Sequence, residues 1–180
     1  MQATVPECPP AAAVVYAERG GVDTLLADLA DALKERGHRI RGLVQKTLAD
    51  APDTVLLVDL ERGDGYPLFQ NLGAGSTSCG LDTQGIAAAS MVLRRALDEH
   101  PDLVVVNRFG ALEASGAGFA DEMLALMSEG IPLLTAVAEK NLASWRAFTG
   151  HLAAELPPTR EALEAWFADM RRELQPQTKP

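Results

Sequence analysis

Residues 12–33 read AAVVYAERGGVDTLLADLADAL, and the fold is decided by how this stretch divides. Ala13, Val14, Val15 and Tyr16 form a compact apolar run, the pattern of a buried parallel strand. Gly20 and Gly21 interrupt it. Leu25, Leu26, Leu29, Ala30 and Leu33 then recur at helical spacing, with Asp28, Asp31 and Lys34 on the other side. Strand, glycine loop and helix in this order form a unit that binds phosphate in α/β proteins. The loop and the helix end offer unpaired N–H groups and the positive end of the helix dipole.

The loop can be tested against the phosphate-binding pattern G-x-x-x-x-G-K-[ST]. Aligned on Thr24, residues 17–24 place Ala17 at the first glycine, Val22 at the second and Asp23 at the lysine. Only the hydroxyl of Thr24 matches. Lysine there neutralises phosphate charge; an aspartate about 4 Å from a phosphate oxygen costs roughly 4 kcal/mol at an effective dielectric near 20. The position is that of a phosphate loop, and the charge is reversed. An ordinary βα turn, with Asp23 or Thr24 favoured in the first helical turn by the dipole, is the plain alternative.

The chain has 180 residues, enough for one domain with a full core. A net charge of −9 argues against nucleic acid or an anionic membrane as partner. It leaves room for a small anion held by local N–H groups and an arginine. No apolar run is long enough to span a membrane, and the N-terminus lacks a basic segment before its apolar part. Cys8 and Cys79 have no metal-ligand spacing, so the expectation is a cytoplasmic protein with reduced thiols.

Further along, residues 1–10 read as a loose N-terminal arm, 11–174 as a single α/β domain and 175–180 as a frayed tail. Residues 39–46 read as a second strand, in which Gly42 signals a close backbone approach or a bulge. Residues 51–53 read as a turn, and 54–60 pairs with 66–70 as a β-hairpin or meander, which makes the sheet mostly parallel but mixed. Helices are expected at 85–99, 118–129, 141–148 and 159–174. Strands are expected at 103–106 and 131–137, with an edge strand in 151–156. Alternating strands and helices imply a three-layer α/β sheet whose ligands bind beyond the carboxyl ends of the strands. The loops there are 17–24, 107–118 and 138–141.

Asn107-Arg108-Phe109-Gly110 leaves the strand at 103–106. A nucleotide-hydrolysing protein places a magnesium-holding carboxylate at such a strand end. Here Asn107 can orient water, and Arg108 is a fork for phosphate or another oxyanion. Glu113 is available as a base or metal ligand, or as an ion-pair partner of Arg108. Residues 73–80 read as an anion-binding nest or a lid, with Ser76, Thr77, Ser78 and Cys79 in it. His38, His100 and His151 show no ligand or triad spacing. Trp145 and Phe148 are three apart on a short helix and read as core.

The sequence of elements resembles a bacterial domain family of unknown function, similar to the small P-loop nucleoside triphosphatases of the thermophilic and cancer-related type. The likeness rests on the altered phosphate loop, SCGLD at 78–82, LVVVNRFGALEASGAGF at 103–119 and GIPLLTAV at 130–137. In the active triphosphatases a Lys-Thr pair ends the phosphate loop, and an Asp-Glu pair followed by Ile-Gly closes the second strand. Thr24 and Gly110 match these patterns; Asp23, Asn107 and Arg108 depart from them. The resemblance implies a P-loop NTPase-like fold, and it implies a link to molybdenum metabolism, with molybdate as one candidate ligand.

The sequence therefore points to a small anionic ligand, a phosphate-bearing nucleotide or a tetrahedral oxyanion, bound without hydrolysis. Arg19, Gly20, Gly21, Asp23, Thr24, Ser76, Thr77, Ser78, Cys79, Asn107, Arg108 and Glu113 are the candidate ligand-binding residues. Two alternatives stand beside this: an active triphosphatase with substitute residues, which alone would call for magnesium, and an interaction or regulatory module with a vestigial site.

Overall fold

A computed structural model of the chain describes residues 10–17, 20–70 and 80–175. Strand β1 (Ala11–Tyr16) is buried along nearly its whole length. Gly21, at φ 84°, turns the chain into helix α1 (Val22–Glu35), which buries Val22, Leu26, Leu29, Ala30 and Leu33. The left-handed conformation at this turn is one that glycine adopts without a steric penalty. The expected strand–loop–helix unit is therefore present, with its loop partly outside the described residues.

Among the described residues the sheet has seven strands, in the order β4-β3-β2-β5-β6-β1-β7. Strands β2 (Ile40–Leu48), β5 (Leu103–Phe109), β6 (Leu133–Ala138), β1 and β7 (Ala154–Leu156) run parallel to one another. Strand β3 (Ala51–Asp59) pairs antiparallel with β2 and with β4 (Gly65–Pro67). The expected hairpin is thus the outer part of a three-stranded meander. Pro52 and Asp53 lie in β3 rather than in a turn. They fall in an irregularity between the Leu48–Ala51 and Thr47–Val55 pairs, where Pro52 need not donate to a ladder. The outermost strand ends at Pro67, short of the expected residue 70, and Phe69 bridges to Leu81 instead.

Helices cover both faces, as a mostly parallel sheet requires. On one face α2 (Thr83–Glu99), α4 (Ala120–Ser128) and α5 (Leu142–Phe148) pack Leu93, Met123 and Trp145 onto Val104 and Val106. On the other, α1 and α6 (Arg160–Leu174) pack Leu26, Leu33 and Phe167 onto Leu103 and Val105. Trp145 is wholly buried and meets Phe109 edge-on at 5.2 Å, so it is core, as read from its spacing. Short caps start two of the helices: Asp82 accepts from the Gly85 N–H at 2.8 Å, and Thr159 from Ala162 at 3.4 Å.

Gly42 explains the join between β2 and β5. A Cβ there would lie 2.0 Å from the Val105 carbonyl oxygen, at φ 110°. The close backbone approach expected at this residue is what the structure contains. The proposed arm and tail fall mainly on residues 1–9 and 176–180, outside the described residues. No helix among the described residues is long and apolar enough to cross a membrane.

Candidate functional site

The site lies where β1, β6 and β5 end side by side. Because β6 is inserted between the other two, the first turn of α1 and the end of β5 face one another across it. Asp23 is the second residue of α1, where the dipole favours a carboxylate. Its Oδ2 accepts from Arg108 Nη2 at 2.7 Å, and its Oδ1 accepts from Arg108 Nε at 3.2 Å and from Asn107 Nδ2 at 2.9 Å. The arginine fork therefore grips the carboxylate at both oxygens, the strong form of this pair. The Arg108 side chain is 19% exposed and that of Asp23 30%.

Tyr16, the last residue of β1, completes the arrangement. Its hydroxyl accepts from Arg108 Nη1 at 3.1 Å, and its ring lies 5.4 Å from the guanidinium carbon. Burial works against the charge on Arg108. The bonds to Asp23, the Asp23 carboxylate itself and Tyr16 outweigh it and hold the guanidinium above its ordinary range. Asn107 is wholly buried; its Oδ1 has no hydrogen-bond partner among the described residues. The peptide bond between Asn107 and Arg108 is cis.

Glu113 does not pair with Arg108. It is buried in the short helix α3 (Ala111–Ala114), which the sequence patterns did not disclose. Its Oε2 accepts from the Gly110 N–H at 3.0 Å and its Oε1 from the Phe119 N–H at 3.3 Å. The carboxylate folds its own loop, and Gly118 closes on it so tightly that a Cβ would stand 2.3 Å from Oε1. A magnesium ion at this strand end would need an uncommitted carboxylate. Asp23 and Glu113 are both engaged, and Arg108 places a positive charge there, so the residues present do not fit that metal. No cluster of three or more metal-ligating side chains occurs among the described residues.

Beside the ion pair opens a cleft of about 690 Å³, lined by Tyr16, Arg108, Gly110, Lys140 and Asn141 among others. Lys140 and Asn141 belong to a 3-10 turn (Glu139–Asn141) that follows β6. Gly20, Gly21 and Thr24 are exposed at the start of α1. Of the candidate residues, Asp23, Asn107 and Arg108 come together, and Glu113 stands nearby in a structural role. Arg19, Ser76, Thr77, Ser78 and Cys79 lie outside the described residues. Tyr16 and Lys140 were not among the candidates. The carboxyl-end loop at 138–141 was the signal for Lys140; Tyr16 read only as the end of a strand.

Residues 11–166 match a family described as a protein of unknown function, DUF2478. The molybdenum import ATP-binding protein ModC 2 of Bradyrhizobium diazoefficiens is 39% identical over 161 residues. That alignment takes in 88% of this chain and 18% of ModC 2, so the chain spans about a fifth of the relative's length. The solution structure of a human cancer-related nucleoside triphosphatase superposes with a TM-score of 0.62 at 18% identity, over 93% of this chain and 98% of the other. The fold is thus the three-layer α/β fold of the P-loop nucleoside triphosphatases. By the match over residues 11–166, the chain belongs to the DUF2478 family of unknown function.

Proposed function

We propose that this domain binds a phosphate-bearing nucleotide or a tetrahedral oxyanion without hydrolysing it, at the carboxyl ends of β1, β5 and β6. The observation that carries the reading is the charge reversal at the ion pair. Asp23 stands where a phosphate-binding lysine would be, and Arg108 where a metal-holding carboxylate would be; the two grip each other at 2.7 and 3.2 Å. Hydrolysis by the usual route needs both of the missing charges. Binding needs less. A tetrahedral anion presents two oxygens to the Arg108 fork much as Asp23 does, and can take its place. Lys140 on the cleft rim adds a second positive charge, and about 690 Å³ suits a small ligand.

The name of the relative, a molybdenum import ATP-binding protein, makes molybdate and adenine nucleotides the first ligands to try and supports a link to molybdenum metabolism. One observation favours a second reading, an interaction or regulatory module with a vestigial site. Asp23 already supplies the anion that the helix end and Arg108 would otherwise attract. A working triphosphatase would require Asp23 or Glu113 to leave its present partners.

Calorimetric titration with ATP, GTP and molybdate, each with and without magnesium, together with a phosphate-release assay, separates these. Binding of an oxyanion or a nucleotide that ignores magnesium and releases no phosphate is the expected result. Magnesium-dependent binding with turnover would establish the triphosphatase. Silence towards all three would leave the interaction module.

A further inference from the structure

On the other side of β5 from the cleft lies a smaller pocket of about 170 Å³. Leu57, Leu68, Leu81, Ile86 and Phe119 give it an apolar side, and Gln45, Asn107, Arg108 and Glu113 border it. Asn107 is wholly buried, turns its amide nitrogen to Asp23, and leaves Oδ1 without a partner among the described residues. A buried carbonyl oxygen in that state is rare, because nothing replaces the water it has lost. Water alone is a poor answer to it. One water takes only about 10–15 Å³ of such space and leaves the leucine side of the pocket uncovered. What suits the pocket is a flat apolar body with one N–H donor on its edge.

The pocket and the cleft share Arg108, Gly110 and Ala111. A single ligand can therefore occupy both, with a charged end at the arginine and an uncharged end among the leucines. We infer that the pocket seats the base of a nucleotide, whose amine or ring N–H donates to Asn107 Oδ1 while its phosphate reaches Arg108. This rests on the ligand-binding reading above and narrows it from anions in general to nucleotides. Asn107 then serves twice, its nitrogen orienting Asp23 and its oxygen reading the base.

Calorimetric titration with AMP, GMP, CMP, UMP, ribose 5-phosphate and inorganic phosphate, on the wild type and on Leu81→Trp, tests this. Leu81 is 38% exposed at the pocket rim, so the larger ring can fill the pocket without entering the core; circular dichroism checks that the variant is folded. At least one of the four nucleotides is expected to bind about tenfold or more tighter than ribose 5-phosphate, from ring burial and one hydrogen bond. Leu81→Trp is expected to abolish that preference and leave ribose 5-phosphate binding unchanged. Ribose 5-phosphate binding as tightly as every nucleotide would overturn the base pocket and leave the anion site standing. A nucleotide preference untouched by Leu81→Trp would place the base elsewhere and overturn the assignment equally. Failure of all six compounds, and of molybdate, would remove the ligand-binding reading and this inference with it.

Discussion

Replacing either partner of the central ion pair destabilises the protein, and the two replacements differ by an amount the geometry sets. Asp23 accepts three hydrogen bonds, two from Arg108 and one from Asn107. In Asp23→Ala all three are lost. Arg108 keeps only Tyr16, and the wholly buried Asn107 amide has neither its nitrogen nor its oxygen satisfied by the described residues. Breaking a fully buried pair costs about 3–5 kcal/mol and an exposed one about 0–1. With Arg108 19% and Asp23 30% exposed, about 2 kcal/mol fits the pair. The stranded amide adds about 1 kcal/mol more, and losing the carboxylate from the first turn of α1 adds a few tenths through the dipole. Asp23→Ala should therefore cost about 3 kcal/mol. In Arg108→Ala the carboxylate keeps the Asn107 N–H, reaches water and still benefits from the helix dipole, so the cost should be about 1.5 kcal/mol. Urea denaturation with matched slopes measures both. Equal costs, or a greater cost for Arg108→Ala, would mean that the buried amide does not depend on Asp23.

Three other perturbations follow from particular contacts. Gly42→Ala drives a Cβ to 2.0 Å from the Val105 carbonyl oxygen at a positive φ; a loss of about 3 kcal/mol or more is expected in thermal or urea unfolding, and a neutral result would deny the close β2–β5 approach. Glu113→Gln replaces one acceptor oxygen with an NH₂ group facing the Gly110 or Phe119 N–H. It should cost about 1–2 kcal/mol of stability and leave ligand affinity unchanged, whereas an intact fold with lost affinity would make Glu113 a ligand-binding residue. The bond from Arg146 first, and its charge with that of His151, hold Glu155 below its ordinary value of 4.5 despite some desolvation. A depressed carboxylate stabilises the fold above its unfolded pKa and loses that contribution as pH falls through the folded one. The small stability difference between wild type and Glu155→Gln should thus persist at neutral pH and shrink below about pH 4.5; constancy across that window would contradict the pairing.

The elements that announce themselves locally were legible. The apolar run of β1, the double glycine and the regularly spaced leucines of α1 locate the first unit, and Gly42 marks a place where a side chain has no room. The meander was partly hidden because its irregularity absorbs Pro52, a residue that locally argues for a turn. The site was half legible. Asp23 and Arg108 each stood out as a departure from the phosphate-loop and strand-end patterns. Their union was not visible, because 85 positions separate them and only the insertion of β6 between β1 and β5 sets them face to face. A reversed charge at both halves of one site is the signal that links them. Glu113 misled for the opposite reason: its carboxylate serves the backbone of its own loop, and a loop of irregular shape leaves no periodic trace.

Equilibrium dialysis of molybdate and of ATP against the wild type, Asp23→Asn and Arg108→Ala, first without magnesium, isolates the role of the reversed pair. Asp23→Asn keeps an acceptor for Asn107 while releasing the arginine from its counter-charge. If Arg108 is the anion's partner, this variant should bind one of the two probes about tenfold tighter than the wild type, and Arg108→Ala should bind neither measurably. Wild-type affinity in Arg108→Ala, or binding that appears only with magnesium and is followed by phosphate release, would contradict a non-hydrolytic site built on Arg108.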